Sequence, residues 1–356
     1  GPVYCTPGTK SLLQILLPDS AHIQEEQAAY ANRKGFSKHH PAEPLYTARD
    51  AQQALQLLKT RTYGELFPVT DEVQVLLRRA GHILGSATVE LQIGDRPKKL
   101  VFSGDLGRWG RPMLRDPELA LDADVLVMES TYGNRDHPLE NARNELARIV
   151  NEAAGRKGEA GRIPKLPIYV DSPMATSATE VFCRHPEDHD IDMKLLMDEH
   201  RCPLCCRPPT FTRSPAESKA LNHKKGPLII ISASGMATNG RVVHHLERRL
   251  PNKKTTVLLV GFQAIGTRGR SLQDGVRMVR MFGREIPVNA HIEQIHGLSA
   301  HADRSELLRW VDGFIRPPER IYLVHGEPES SDAFCNTLRE RGCNAEVAQA
   351  NQKIDI

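Results

Sequence analysis

Val125-Leu126-Val127-Met128-Glu129-Ser130-Thr131-Tyr132-Gly133 is a run of four apolar residues that ends on a carboxylate, two hydroxyls and a tight turn. A continuous apolar run of this length reads as a strand covered on both faces, and the polar break marks its C-terminal end. A carboxylate placed there leaves the sheet where loops gather and side chains can converge. Upstream, the apolar runs at 73–77, 88–93 and 100–102 also read as strands, and Val73-Gln74-Val75 alternates as a half-buried antiparallel strand should. Thr47 and Asp50 form a capping-box pattern that opens a helix running to about Lys59.

From His137 the rhythm changes to longer helices alternating with single buried strands, the pattern of an α/β parallel sheet. A helix over 139–153 leads to the strand 168–170, then to Asp171-Ser172-Pro173, with Pro173 suited to the first turn of the next helix. Buried strands follow at 228–231 and 255–260. After about Pro287 the strand-and-loop style returns, with a strand at 292–295, a helix at 304–315 and a strand at 321–324. The middle segment reads as inserted between two parts of one outer domain, divided as 1–137, 138–287 and 288–356.

Composition agrees with a globular chain of about two domains: 356 residues, 47 Lys and Arg against 44 Asp and Glu, 40% hydrophobic and 5% aromatic. Fibrous and disordered classes are excluded. No apolar run approaches the roughly 18 residues that cross a bilayer, so no membrane partner is expected. Seven cysteines, an odd number without a preceding signal peptide, point to reduced thiols and a cytoplasmic protein.

Four polar residues follow buried strands: Asp105 in Ser-Gly-Asp-Leu-Gly, Glu129, Asp171, and His325 in Val-His-Gly-Glu. His82 in Gly-His-Ile-Leu-Gly-Ser and His301 in Ser-Ala-His-Ala-Asp join them. Histidines and carboxylates offered from strand ends suit zinc, and two metals would clamp a phosphoryl group for in-line displacement. Singly, each has a plainer account. A histidine beside glycine is commonly a turn or a satisfied buried imidazole, and a carboxylate after a strand is commonly a helix cap or turn former.

Their order decides. Gly-His-Ile-Leu-Gly-Ser-Ala, Ser-Gly-Asp-Leu-Gly, Glu-Ser-Thr-Tyr-Gly, Gly-Leu-Ser-Ala-His-Ala-Asp and Val-His-Gly-Glu resemble, in that succession, the RNA nucleases of the metallo-β-lactamase fold that carry the β-CASP insertion. Residues 232–240 (SASGMATNG) and 261–268 (GFQAIGTR) are similar to that insertion, so the resemblance covers essentially the whole chain. It is nearest to the bacterial and archaeal homologues of the pre-mRNA 3′-end cleavage endonuclease, with ribonuclease J more distant. The resemblance implies a metallo-β-lactamase αββα sandwich with an inserted α/β β-CASP domain, and a cofactor of two zinc ions. It makes His82 a ligand of one zinc, Asp105 the bridge and His325 a ligand of the second, with Glu129 orienting His301 as general acid. RNA, mainly single-stranded, would be held between the two domains by Ser172, Ser234, Gly235 and Arg268; a homodimer is left open.

One motif of that family, His-x-His-x-Asp-His, occurs nowhere between residues 1 and 356. Four expected ligands are thereby missing, residue 1 is glycine, and the chain is expected to be an N-terminally incomplete form that holds zinc poorly. Residues 241–284 carry ten Lys and Arg against two acids, a net +8 that leaves the remainder at −5 from a total of +3. Such a concentration is the footprint of a phosphate-backbone partner. Within it, Arg248, Arg249, Lys253 and Lys254 read as a solvated helix face, and Arg268 and Arg270 as the stronger binding candidates. Aromatic stacking platforms are not evident. Cys202-Pro203-Leu204-Cys205-Cys206 is only half of a zinc knuckle, and ordinary thiols are favoured. Two other functions remain open at this stage: a catalytically inert RNA-binding scaffold, and a metallohydrolase acting on small esters or lactams.

Overall fold

A computed structural model describes residues 1–35, 37–138, 141–155, 162–200, 204, 209–295 and 297–354. Cys202, Cys205 and Cys206 lie outside the described residues. The chain forms two compact units, one of residues 1–136, 178–202 and 300–356, the other of residues 137–177 and 203–299. The second unit runs on past Pro287 because the strand His291–Ile295 pairs in parallel with Thr256–Val260. That pairing is invisible in the local pattern, which changes style some ten residues earlier.

The first unit is built on a seven-stranded mixed sheet. Leu66–Pro68, Val73–Arg79, Ala87–Ile93 and Lys98–Phe102 run antiparallel in succession, and then the order turns parallel. Val125–Glu129 lies between Lys98–Phe102 and Arg320–Val324, parallel to both. An interior parallel strand is covered on both faces, which is why its sequence is an unbroken apolar run. Leu126 and Met128 are fully buried, packed with Leu106, Leu307, Trp310, Phe334 and Leu338. The Trp310 indole N–H donates to the Glu118 carbonyl at 3.1 Å, so this large side chain is buried without an orphaned donor. The Thr47 capping box opens the helix Ala48–Gln56, which stops short of Lys59 because Leu58–Thr60 pairs as a strand with Val3–Cys5.

The second unit is likewise mixed α/β, with a three-stranded sheet around Ile168–Val170, the parallel pair already described, and a hairpin of Met278–Met281 and Arg284–Pro287. Val243, Leu246, Leu250, Leu272, Val279, Met281 and Ile286 form its core. No helix among the described residues is long and apolar enough to cross a membrane.

Candidate active site

Strand order explains how distant residues meet. The parallel strands ending at Phe102, Glu129 and Val324 finish at one edge of the sheet, in register Phe102 with Val127 and Val324 with Glu129. Asp105, Glu129 and His325 therefore leave the sheet side by side. The antiparallel strands Val73–Arg79 and Ala87–Ile93 turn at the same edge, and His82 sits in that turn. His301 is delivered by a different device. Gly107 bridges to His301, Leu106 bridges to Gly81, and the Ala302 N–H donates to the Leu106 carbonyl at 2.8 Å. A Cβ on Gly107 would stand 2.0 Å from the Gly81 carbonyl oxygen, so only glycine lets the His82 turn and the Asp105 loop approach this closely. Asp303 caps the helix Arg304–Val311 in a capping box with Glu306, fixing the chain just after His301.

The five side chains form one cluster. Asp105 turns its two oxygens to different imidazoles: Oδ2 lies 3.9 Å from His82 Nε2 and Oδ1 lies 3.4 Å from His325 Nε2. Both separations exceed a good hydrogen bond. The His325 separation matches two ligands of a shared ion, since donors about 2.1 Å from a tetrahedral zinc stand roughly 3.4 Å apart, and the His82 separation is wider than that. His82, Asp105 and His301 also bring one ligand atom each within 4.8 Å of one another. The donor set thus fits a hard-to-borderline cation, with His82 and His325 on opposite oxygens of one bridging carboxylate. His325 adopts a positive φ of 58°, a strained conformation for a side-chain-bearing residue, while Thr131 Oγ1 and Ser130 Oγ hold the carbonyls of His325 and Val324 at 3.0 and 2.9 Å.

Glu129, 1% exposed, accepts from the Leu106 N–H at 2.5 Å and from His301 Nδ1 at 3.1–3.2 Å. Burial opposes charge on His301, but the Glu129 hydrogen bond and the charges of Glu129 and Asp105 outweigh it and raise its proton affinity above the ordinary value. The neighbouring His82 ring, 4.2 Å away between centroids, is shifted the other way, first by burial and then by the charge of His301. Two histidines in contact are thereby driven apart, one toward the charged form and one toward the neutral form that binds metal.

Ser172, Ser234, Gly235 and Arg268 belong to the second unit. Ser172 is buried and its Oγ accepts from the Ala175 N–H at 3.1 Å, as a helix cap does. Ser234 and Gly235 sit on the loop 232–240, where Gly235 is open to solvent and Ser234 Oγ lies 3.2 Å from Thr238 Oγ1. Arg268 points at that loop from behind: it donates to the carbonyls of Ala237, Thr238 and Arg280, and so braces the loop's shape. Arg270 pairs with Asp274 at 2.9 Å. The exposed cations of the basic window are instead Arg248, Arg277, Arg280, Arg284, Lys253 and Lys254.

Asp171 has a role that sequence reasoning did not assign. It is 0% exposed, and its carboxylate accepts from Ser218 Oγ at 2.5 Å, Arg241 at 2.6 Å, His245 Nε2 at 2.6 Å and Thr212 Oγ1. Ser232 Oγ donates to its main-chain carbonyl at 3.0 Å. One buried charge thus ties the strand Ile168–Val170 to the helix Arg241–Arg249 on either side of the loop 232–240. Its sequence signal was an aspartate just after a buried strand, in Asp171-Ser172-Pro173, which has the plainer account of a helix cap or turn former.

Residues 144–272 match the family model of the Beta-Casp domain, and residues 285–348 match that of the Zn-dependent metallo-hydrolase RNA specificity domain. Among curated relatives, the chain is similar to ribonuclease TTHA0252 of Thermus thermophilus, at 29% identity over 100% of this chain and 82% of that protein. It is also similar to transcription termination factor FttA of Pyrococcus horikoshii, at 31% identity over 92% of this chain, and to an RNase J-like protein of Methanocaldococcus jannaschii, at 28% over 94%. It spans 79% of the RNase J-like protein but only 53% of the termination factor. With the ordered site motifs, the clustered histidines and carboxylates, and both domain matches, the chain belongs to the β-CASP family of metallo-β-lactamase-fold, metal-dependent RNA nucleases.

Proposed function

We propose that this protein hydrolyses phosphodiester bonds of single-stranded RNA, in RNA processing or decay, with zinc as its metal. His82 and Asp105 would hold one ion, and Asp105 and His325 a second. Bound zinc supplies charge neutralisation at the phosphoryl oxygens and acidifies water. The chain's own part is orientation and proton movement. Glu129, held by the Leu106 N–H, fixes the His301 ring through Nδ1 and raises its affinity for a proton, leaving Nε2 to give its proton to the departing oxygen. The hydrolytic chemistry is assigned to the first unit and backbone binding to the second, with Ser234 and Gly235 on the solvent-open loop, Ser172 beside it and Arg268 as its brace.

The observation that carries this reading is the convergence of His82, Asp105, Glu129, His301 and His325 at one sheet edge. The test is cleavage of end-labelled single-stranded RNA, linear and circular, by the full gene product with zinc, beside its His301→Ala variant. Cleavage of both substrates that the variant loses supports an endonuclease; cleavage of the linear form alone identifies an exonuclease. No cleavage, with RNA binding retained, returns the inert scaffold.

A further inference from the structure

The hairpin of the second unit turns through Phe282-Gly283, with φ of 48° and 77°. Two positive φ values across a two-residue connection define the type I′ turn, whose first position favours asparagine, aspartate or glycine. A bulky aromatic residue there is strained, and here it is also exposed: 52% of Phe282 is open to solvent. Neither burial nor turn chemistry accounts for the ring. An outlier of this kind points to function.

Its surroundings say what would use it. The ring stacks on the exposed His244 imidazole with centroids 4.6 Å apart and planes 21° from parallel. Arg248 lies one turn along the same helix on the same exposed face. On the hairpin, Arg277, Arg280 and Arg284 are exposed, against one exposed acid, Glu285, which lies opposite Arg280. A flat aromatic pair on a helix and a hairpin that both carry exposed cations is complementary to a nucleobase carried on a phosphate backbone.

We propose that Phe282, backed by His244, is a base-stacking platform for single-stranded RNA, with Arg248, Arg280 and Arg284 taking the flanking phosphates. This rests on the RNA reading above and adds a site to it. The sequence alone had suggested no such platform, because one phenylalanine at a hairpin tip shows its exposure only in the fold.

The experiment measures anisotropy of a labelled 12-nucleotide RNA with the 356-residue chain at low salt, using Phe282→Asn and Phe282→Tyr. Asparagine removes the ring and suits the turn, so the melting temperature should hold or rise while affinity falls roughly fivefold to a hundredfold. Tyrosine should keep the affinity. An oligonucleotide of the same length with abasic sugars should bind wild type and Phe282→Asn equally. If Phe282→Asn binds intact RNA as tightly as wild type, the platform is overturned and the RNA reading stands. If wild type binds no RNA, the RNA reading itself fails. A concentration-dependent dimer that Phe282→Asn dissolves would assign the ring to contact between copies and overturn the proposal.

Discussion

Replacing Asp171 with asparagine keeps the volume of the most buried charge in the second unit and removes only its ionisation. The Arg241 guanidinium then loses its counter-charge, and the amide can accept from only some of the four groups that donate to the carboxylate. Breaking a buried pair by removing one partner costs about 3–5 kcal/mol. Arg241 keeps 21% of its side chain in water, which favours the lower end. A second route gives the same order. Burial alone would raise the Asp171 carboxyl, but the hydrogen bonds from Ser218, Thr212, Arg241 and His245 outweigh it and hold the pKa down from 3.8 to about 2. A folded pKa below the unfolded one stabilises above the unfolded value, here by about 2 kcal/mol, and that contribution is lost as pH falls through about 2. Thermal and urea unfolding followed by circular dichroism at pH 7 should show a midpoint lower by roughly 10 °C. The gap between wild type and variant should narrow between pH 4 and pH 2. A loss under about 1 kcal/mol at pH 7, or a gap independent of pH, would refute the reasoning.

Other substitutions separate the chemistry from the scaffold. His301→Ala should slow RNA cleavage by roughly a hundredfold to ten-thousandfold, read by gel assay, and leave RNA affinity nearly unchanged. Mass spectrometry of metals should find well under two zinc ions per 356-residue chain, because His82, Asp105 and His325 supply too few ligands for two closed sites; a content near two would show that the absent His-x-His-x-Asp-His motif is dispensable. Asp105→Asn should lower what zinc affinity there is by at least about tenfold, measured by competition with a chelating dye. Gly107→Ala should destabilise the first unit by at least about 2 kcal/mol in urea, since its Cβ would sit 2.0 Å from the Gly81 oxygen with backbone on the opposing side.

Much of the candidate cluster was legible because most of its members announce themselves locally, as a histidine or carboxylate just past an apolar run. The unbroken run before Glu129 marked its strand as covered on both faces, which its parallel neighbours on either side supply. What stayed hidden depends on partners far along the chain. Asp171 read as a turn residue because Thr212, Ser218, Arg241 and His245, which make it a hub, come from 41 to 74 positions away. Arg268 looked like a binding group because its glycine-broken loop was visible and the carbonyls that receive it were not. The strand His291–Ile295 was placed with the outer domain for want of any local sign of Thr256–Val260. Phe282 passed unnoticed because exposure is not a property of the local sequence.

The direct pairing of Val125–Glu129 with Arg320–Val324 has a further consequence for how much the chain between them can vary. The strands that carry Glu129 and His325 are neighbours through their own backbone hydrogen bonds, so from their viewpoint the roughly 190 intervening residues are one closed loop. Closure entropy grows only with the logarithm of loop length. Compared with an ordinary crossover of about a dozen residues, the excursion costs roughly 2 kcal/mol. Insertions, exchanges or a protease nick within residues 203–299 should therefore leave His82, Asp105 and His325 at their present spacing. On the function proposed above, the cluster of His82, Asp105 and His325 would tolerate change in its longest loop, and RNA preference could shift there without altering the cluster.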